Sequence, residues 1–154
     1  MPIAPGGSGR PARVLFLCTH NSARSQMAEG ILRRMAEGRV EVESAGTVAT
    51  RVHPLAIAAM AERGIDIGSQ RSKRMDELAG ETFDYVVTVC DHANESCPIF
   101  PGAPERLHWS LEDPSAVEGD EEVRLHAFRS TADELTAWIR DLLADIEGGA
   151  SPST

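Results

Sequence analysis

Short apolar runs alternate along this chain with longer segments in which apolar residues recur at helical spacing. The runs predict β-strands at Val14–Leu17, Val40–Ser44, Tyr85–Val89 and Leu107–Trp109. The helical spacing predicts helices at Ser25–Glu37, Pro54–Arg63 and Glu121–Ile146, with a short helix near Met75–Leu78. Because strands alternate with helices, we predict a single-domain, three-layer α/β fold with a central four-stranded parallel sheet flanked by helices.

Two cysteines come directly after predicted strands. Cys18 follows the first strand and Cys90 follows the third. In parallel sheets, functional sites lie at the carboxyl ends of the strands. We therefore expect these two thiols to open onto the same edge of the sheet.

The composition narrows the class of protein. The chain has 154 residues, of which 42% are hydrophobic and 25% charged, which fits one compact domain over residues 13–147. Residues 1–12 and 148–154 are predicted to be a disordered lead and a flexible tail. The formal net charge of -9 disfavours nucleic acid and anionic membranes as partners. No run approaches the roughly 20 apolar residues that span a bilayer. The start resembles no secretory signal, and three cysteines favour reactive thiols, so we predict a cytoplasmic protein.

The segment from Cys18 to Ser25 has the properties of an oxyanion-binding loop. It joins a strand to a helix start, where unpaired backbone N–H groups and the helix dipole attract anions. Arg24 adds a planar set of donors that suits a tetrahedral anion. These surroundings favour the thiolate form of Cys18, which is then the nucleophile. The predicted oxyanion-binding residues are Thr19, His20, Asn21, Ser22, Ala23, Arg24 and Ser25.

Two of these residues have further expected roles, since Ser25 is placed to hydrogen-bond the thiolate and Asn21 to hold the shape of the loop. A buried structural cysteine with an arginine nearby by chance is the alternative interpretation. Cys-x5-Arg alone is a weak pattern, and the strand before it and the helix after it favour the functional interpretation.

The run VLFLCTHNSARSQMAEG resembles the loop of the low-molecular-weight tyrosine phosphatase superfamily, and most closely its thioredoxin-coupled arsenate reductase branch. The sequence SAG at Ser44–Gly46 adds to the resemblance, which extends from about Val14 to Pro114. It implies a low-molecular-weight tyrosine phosphatase-like fold. Many relatives carry Gly and Cys where this chain has His20 and Ala23, a departure that concerns the tuning of the loop more than its chemistry.

The resemblance gives the other cysteines a role. Cys97 follows Cys90 with six residues between them, and reductases of this family carry a cysteine pair at that spacing. The implied chemistry is a relay in which Cys18 forms an adduct with arsenate, Cys90 attacks Cys18 and Cys97 then attacks Cys90. Thioredoxin reduces the final disulfide. The alternatives are a pair of inert thiols in a phosphatase and a metal site that uses Cys90, Cys97 and a histidine; the spacing disfavours the latter.

Other residues match supporting roles in the family. Asp113, before Pro114, matches the general acid of the family. Glu112 is the neighbouring alternative for this role. The alternative interpretation is that Asp113 and Pro114 form an ordinary Asp-Pro turn with no catalytic role. Ser115 stands where phosphatases often carry a tyrosine, which disfavours phosphotyrosine proteins as substrates. Some reductases bind potassium beside the loop through an aspartate in the region of Lys73. The ammonium group of Lys73 is expected to replace that cation and support Asn21 and Ser44; the alternative is a solvated lysine.

The sequence therefore favours an arsenate reductase that uses external thioredoxin and needs no bound cofactor and no metal. Phosphate and sulfate are expected to compete with arsenate for the site. The second hypothesis is a phosphatase that uses Cys18, Arg24 and Asp113 on phosphotyrosine or small phosphomonoesters, an activity that can also coexist weakly with arsenate reduction. The third is a non-catalytic oxyanion sensor on the same scaffold.

Overall fold

The computed structural model describes residues 11–78, 80–90 and 104–148. Four strands and three α-helices follow one another in the predicted order. The strands are β1 (Ala12–Cys18), β2 (Val40–Gly46), β3 (Tyr85–Thr88) and β4 (Glu105–His108). The helices are α1 (Arg24–Ala36), α2 (Pro54–Ala61) and α3 (Glu121–Glu147), and 3-10 turns occupy Met75–Leu78 and Pro114–Ala116.

All four strands are parallel, and their order across the sheet is β2-β1-β3-β4. The central strand β1 pairs with β2 up to its last residue, where Cys18 stands opposite Gly46. On the other side, Leu17 stands opposite Thr88 of β3. The strand order reverses between β1 and β3, and this is where parallel α/β sheets open a crevice for ligands.

The core lies between the sheet and the helices. Strand β1 is buried without interruption from Val14 to Cys18, because helices cover both faces of the sheet, as its continuous apolar sequence predicts. Helix α3 packs against both α1 and α2 and contributes the fully buried side chains of Phe128, Leu135 and Ile139. Among the described residues, no helix combines the length and the apolar composition that a membrane span requires.

The predicted fold class is confirmed, and the differences lie at the ends of elements. Helix α2 ends at Ala61 rather than Arg63, because the chain tightens into a turn there: Gly64, at φ 76°, donates to Ala61 O at 3.0 Å. Strand β1 begins at Ala12, inside the segment predicted as a lead. Strand β4 begins at Glu105 rather than Leu107. Its first two residues, Glu105 and Arg106, are exposed and polar, so the apolar pattern did not include them.

The predictions for the first ten residues and for 149–154 concern segments outside the described residues. The same holds for Cys97 and for the other residues of 91–103.

Candidate active site

The loop after β1, residues 18–24, which we call the anion loop, is held through its carbonyl groups. Five of them accept hydrogen bonds from neighbouring segments or from the following helix. The pairs are Thr19 O with Val48 N (3.0 Å), His20 O with Thr50 Oγ1 (3.0 Å), Asn21 O with Gln26 Nε2 (3.1 Å), Ser22 O with His53 N (2.9 Å) and Ala23 O with Met27 N (2.8 Å). No backbone N–H of residues 20–25 donates to another group within the described ranges. These amides are the donors that an oxyanion requires.

The shape of the anion loop depends on Asn21. Its backbone is left-handed, at φ 48°, a conformation that asparagine tolerates better than most residues. Its fully buried side-chain amide donates to Ser25 Oγ at 2.9 Å and to Ser44 Oγ at 3.0 Å. Its oxygen accepts from Lys73 N at 2.8 Å and from Gln26 Nε2 at 3.0 Å. Hydrogen bonds to four different residues therefore stabilise the turn.

The same network brings the hydroxyl group of Ser25 to Cys18, the predicted nucleophile. Cys18 Sγ, which is buried, lies 2.8 Å from Ser25 Oγ. Because Ser25 Oγ already accepts an N–H from Asn21, its own hydrogen is available to the sulfur. The Ser25 hydroxyl is therefore placed to donate to the Cys18 sulfur.

The network continues away from the sulfur to a buried carboxylate. Ser44 accepts from Asn21 and donates to Glu29, whose exposed fraction is 5%. Glu29 also accepts from Arg33 at 2.6 Å, so the charges of the pair compensate each other. Sequence reasoning missed both Glu29 and Gln26, because each occupies what looks like an ordinary polar position on a helix. Their only signal is that they lie inside the SQMAEG segment that carries the family resemblance.

Arg24 connects the anion loop to the segment that contains Asp113. Its guanidinium is largely buried and donates to Leu111 O at 2.9 Å, while its other terminal nitrogen lies 3.8 Å from Asp113 Oδ2. A cavity of about 20 Å³ lies between the two segments. The residues that line it are Cys18, His20, Ser22, Ala23, Arg24, Asp113 and Ser115. Glu112, the alternative acid, is exposed and does not line this cavity.

Three of the predicted oxyanion-binding residues do not line the cavity. The side chains of Asn21 and Ser25 bond to each other and to the groups around Cys18, so they support the loop from behind. The hydroxyl of Thr19 instead lies 3.2 Å from Cys90 Sγ. Asn21 and Ser25 can therefore bind an anion through their backbone N–H groups, and not through their side chains.

Cys90 lies beside the anion loop. It is buried, and its sulfur lies 3.2 Å from the hydroxyl of Thr19, the residue that follows Cys18. Cys18 and Cys90 are not joined to each other by a disulfide bond. Cys97, the third predicted thiol of the relay, lies outside the described residues.

Residues 13–150 match the family described as low molecular weight phosphotyrosine protein phosphatase. This chain belongs to that family. A curated relative, the arsenate reductase of Halalkalibacterium halodurans, is 44% identical over 127 residues, which cover 82% of this chain and 91% of the relative.

Solved structures of similar proteins agree with this. A structure described as an arsenate reductase in the oxidized state is 34% identical, has a TM-score of 0.76 and covers 87% of this chain and 98% of its own. The thioredoxin-dependent arsenate reductase of Corynebacterium glutamicum is 33% identical, with a TM-score of 0.72; the match covers 90% of this chain and 63% of that one.

In this member of the phosphatase family, Lys73 supports the site in a different way from the one expected. Its main-chain N–H, and not its ammonium group, bonds to Asn21, and its carbonyl accepts from Gly46 N at 2.9 Å. The ammonium group lies 3.0 Å from Glu43, and the lysine side chain is only 8% exposed. Lys73 is thus a buried, paired cation beside the anion loop. The prediction that its ammonium supports Asn21 and Ser44 is wrong, because the ammonium is turned toward the Glu43 carboxylate.

His53 connects helix α2 to the anion loop of the phosphatase fold. Its main-chain N–H donates to Ser22 O, and its Nδ1 accepts from Leu55 N at 3.0 Å, which caps the helix. Burial lowers the pKa of His53 below its ordinary value, and Arg124 lowers it further, while Asp113 opposes the shift. The neutral ring is the form that can accept from Leu55, so the cap and the lowered pKa agree.

Gly46 allows the anion loop to close against β2. A Cβ atom at this position would lie 2.6 Å from Thr19 O, 2.7 Å from Asn21 N and 2.8 Å from Cys18 O. These neighbours are backbone atoms, which cannot rotate away. Gly46→Ala is therefore expected to lower the free energy of unfolding by about 1–3 kcal/mol and to weaken protection of Cys18 by bound oxyanion.

Urea unfolding and alkylation of Cys18 with and without sulfate measure both effects. Gly80→Ala is the matched control, since a Cβ atom at Gly80 has no neighbour within 4 Å. Equal behaviour of the two variants would contradict the steric role of Gly46.

His53 also predicts a dependence of stability on pH. Its pKa in the folded protein lies below the value of about 6.5 expected for the unfolded chain, so unfolding takes up a proton in acid. This contribution to stability is present above a pH of about 6.5 and is lost as the pH falls from there through the lower folded pKa. His53→Asn keeps a capping oxygen without titrating, so the unfolding midpoint should change less between about pH 7.5 and about pH 5.5 in the variant than in the unmodified chain. If the unfolding midpoint changed equally with pH in His53→Asn and in the unmodified chain, His53 would not be the cause of this pH dependence.

Proposed function

We propose that this protein reduces arsenate to arsenite. The observation that carries the proposal is the second thiol: Cys90 contacts Thr19 beside the loop that contains Cys18. Hydrolysis of a phosphoester needs one nucleophilic thiol, whereas reduction of arsenic needs two thiols that can form a disulfide. The arsenate reductases among the relatives support the same activity.

The first step is attack by the Cys18 thiolate on arsenate held by the anion loop and Arg24. An S–As bond forms, and one arsenate oxygen leaves as water. Asp113 is the group placed to supply the proton, since it lines the cavity and faces Arg24. Arg24 and the loop amides stabilise the charge on the remaining oxygens.

The second step is attack by the Cys90 thiolate on Cys18 Sγ. The S–S bond forms, the electron pair of the S–As bond passes to arsenic and arsenite leaves as arsenic(III). Cys97 then attacks Cys90, which releases Cys18 as a thiolate and leaves a Cys90–Cys97 disulfide. A thioredoxin-like dithiol protein reduces this disulfide and returns the enzyme to its starting state.

The lining of the cavity favours inorganic anions as ligands. The described residues that line it include no phenylalanine, tyrosine or tryptophan against which an aryl group could stack. Phosphate and sulfate share the shape and charge of arsenate, so we expect both to compete with it. Hydrolysis of phosphomonoesters is the second candidate function, because Cys18, Arg24 and Asp113 are the groups that this reaction requires.

Cysteine variants separate the two functions. Cys90→Ser is expected to lower the rate of arsenite production by about a thousandfold or more and to spare any phosphoester hydrolysis. Cys18→Ser is expected to abolish both. Cys97→Ser is expected to release about one arsenite per chain and then stop, because the Cys18–Cys90 disulfide forms but is not passed on. The measurements are arsenate-dependent NADPH consumption with thioredoxin and its reductase, and arsenite released by the prereduced protein alone.

Two results would count against the proposal. Multiple turnovers by Cys90→Ser would exclude the relay, and tight arsenate binding without arsenite release by the intact chain would favour an oxyanion sensor.

We also propose that the Lys73 ammonium makes a potassium ion unnecessary beside the anion loop. Turnover is expected to be equal in KCl and NaCl at the same ionic strength, because a paired cation already occupies this region. Activation of the intact enzyme by potassium but not by sodium would contradict this role.

The buried position of Lys73 also predicts its effect on stability. Lys73→Ala should lower the free energy of unfolding by about 1–2 kcal/mol, because it removes a buried aliphatic stem and leaves Glu43 without its partner. Arg71→Ala is the matched control, since Arg71 forms an exposed ion pair with Glu77 at 2.9 Å, and its loss should lower the free energy of unfolding by less than Lys73→Ala does. Urea unfolding of both variants makes the comparison.

A further inference from the structure

The hydroxyl group of Ser115 is bonded to the carboxylate of Asp113. Ser115 Oγ donates to Asp113 Oδ1 at 2.7 Å, and the backbone N–H of Ser115 donates to the same oxygen at 3.0 Å. Both residues line the cavity over the anion loop. The two oxygens of Asp113 therefore lie in different environments.

Asp113 Oδ1 is occupied by the turn that follows it. With Asp113 as the cap of the 3-10 turn Pro114–Ala116, both donors of Ser115 converge on that oxygen. Asp113 Oδ2 instead lies 3.8 Å from the guanidinium of Arg24, on the side of the cavity. Oδ2 is thus the oxygen that can carry a proton to an anion bound by Arg24.

We propose that Ser115 is a positioning residue for the general acid: its hydroxyl fixes Oδ1 of Asp113 and directs Oδ2 toward the oxygen that leaves arsenate. This inference rests on the proposed function. The backbone N–H of Ser115 remains in every variant, which isolates the contribution of the side chain.

Other charged or titratable groups surround Asp113, and none of them is altered by a substitution at position 115. They are Cys18, His20 and Arg24 of the anion loop, His53 at the start of α2, Arg124 and Glu134 on α3, and the adjacent Glu112. Because they are the same in both proteins, comparing Ser115→Ala with the unmodified chain isolates the contribution of the side chain at position 115.

The test is the single-turnover rate of arsenite release by prereduced protein, measured over a range of arsenate concentrations. Ser115→Ala is expected to be about threefold to tenfold slower at saturating arsenate, the factor for loss of one hydrogen bond. The arsenate concentration that gives half the maximal rate should stay within about twofold, because the anion loop and Arg24, which hold arsenate, are unchanged. Ser115→Thr should restore the rate.

Ser110→Ala is the matched control, since Ser110 is an exposed serine just before the same turn. A rise in the arsenate concentration for half-maximal rate as large as the loss of rate would show that Ser115 only maintains the structure of the site, and would overturn the inference. So would an unchanged rate in Ser115→Ala, or a failure of Ser115→Thr to restore it. An unmodified chain that releases no arsenite would contradict the proposed function itself, whereas an active chain with an unaffected Ser115→Ala contradicts only this inference.

Discussion

The site depends on the side-chain amide of Asn21. A left-handed residue inside a loop is unfavourable for most side chains, and here hydrogen bonds to four residues compensate for it. The bonds reach α1, the end of β2 and the segment before the first 3-10 turn, so three parts of the chain hold one peptide. Because Asn21 donates to Ser25, the hydroxyl of Ser25 is left to donate to Cys18. The conformation of the loop and the hydrogen bond to the Cys18 sulfur therefore have a common cause.

The topology of the sheet explains why two cysteines far apart in sequence lie near each other. Strand β1 is central, with β3 beside it, and both run in the same direction. Residues that follow these strands must emerge at one edge, which brings Thr19 and Cys90 into contact. The contact follows from the parallel strand order, and within the sheet it requires only the apolar side chains that bury the strands. The proposed relay needs two thiols on one side of the sheet, and the parallel arrangement places the residues that follow β1 and β3 at the same edge.

The fold class could be predicted because apolar runs and helical spacing persist in the buried parts of the chain. Val14–Leu17 is the clearest case, since every residue there is apolar and β1 is the central strand. The prediction was weakest where polar groups are buried. Gln26 and Glu29 lie inside the protein because they bond to Asn21 and Ser44, and a pattern of apolar positions carries no trace of such bonds. Likewise, SAG marked Gly46, but only the distances to the loop backbone explain why glycine is required there.

An acidic protein that binds an anion must rely on short-range interactions. The formal net charge of -9 repels an oxyanion at a distance, but salt screens exposed charges beyond about 8–10 Å. Within the cavity the balance is reversed, because the guanidinium of Arg24 is largely buried and the amides of residues 20–25 have no other acceptor in the described structure. Buried donors act in a medium of lower dielectric than water, so a few of them outweigh many distant carboxylates. Cys18 and Arg24 line the same cavity, so the proposed nucleophile and the anion can share one loop.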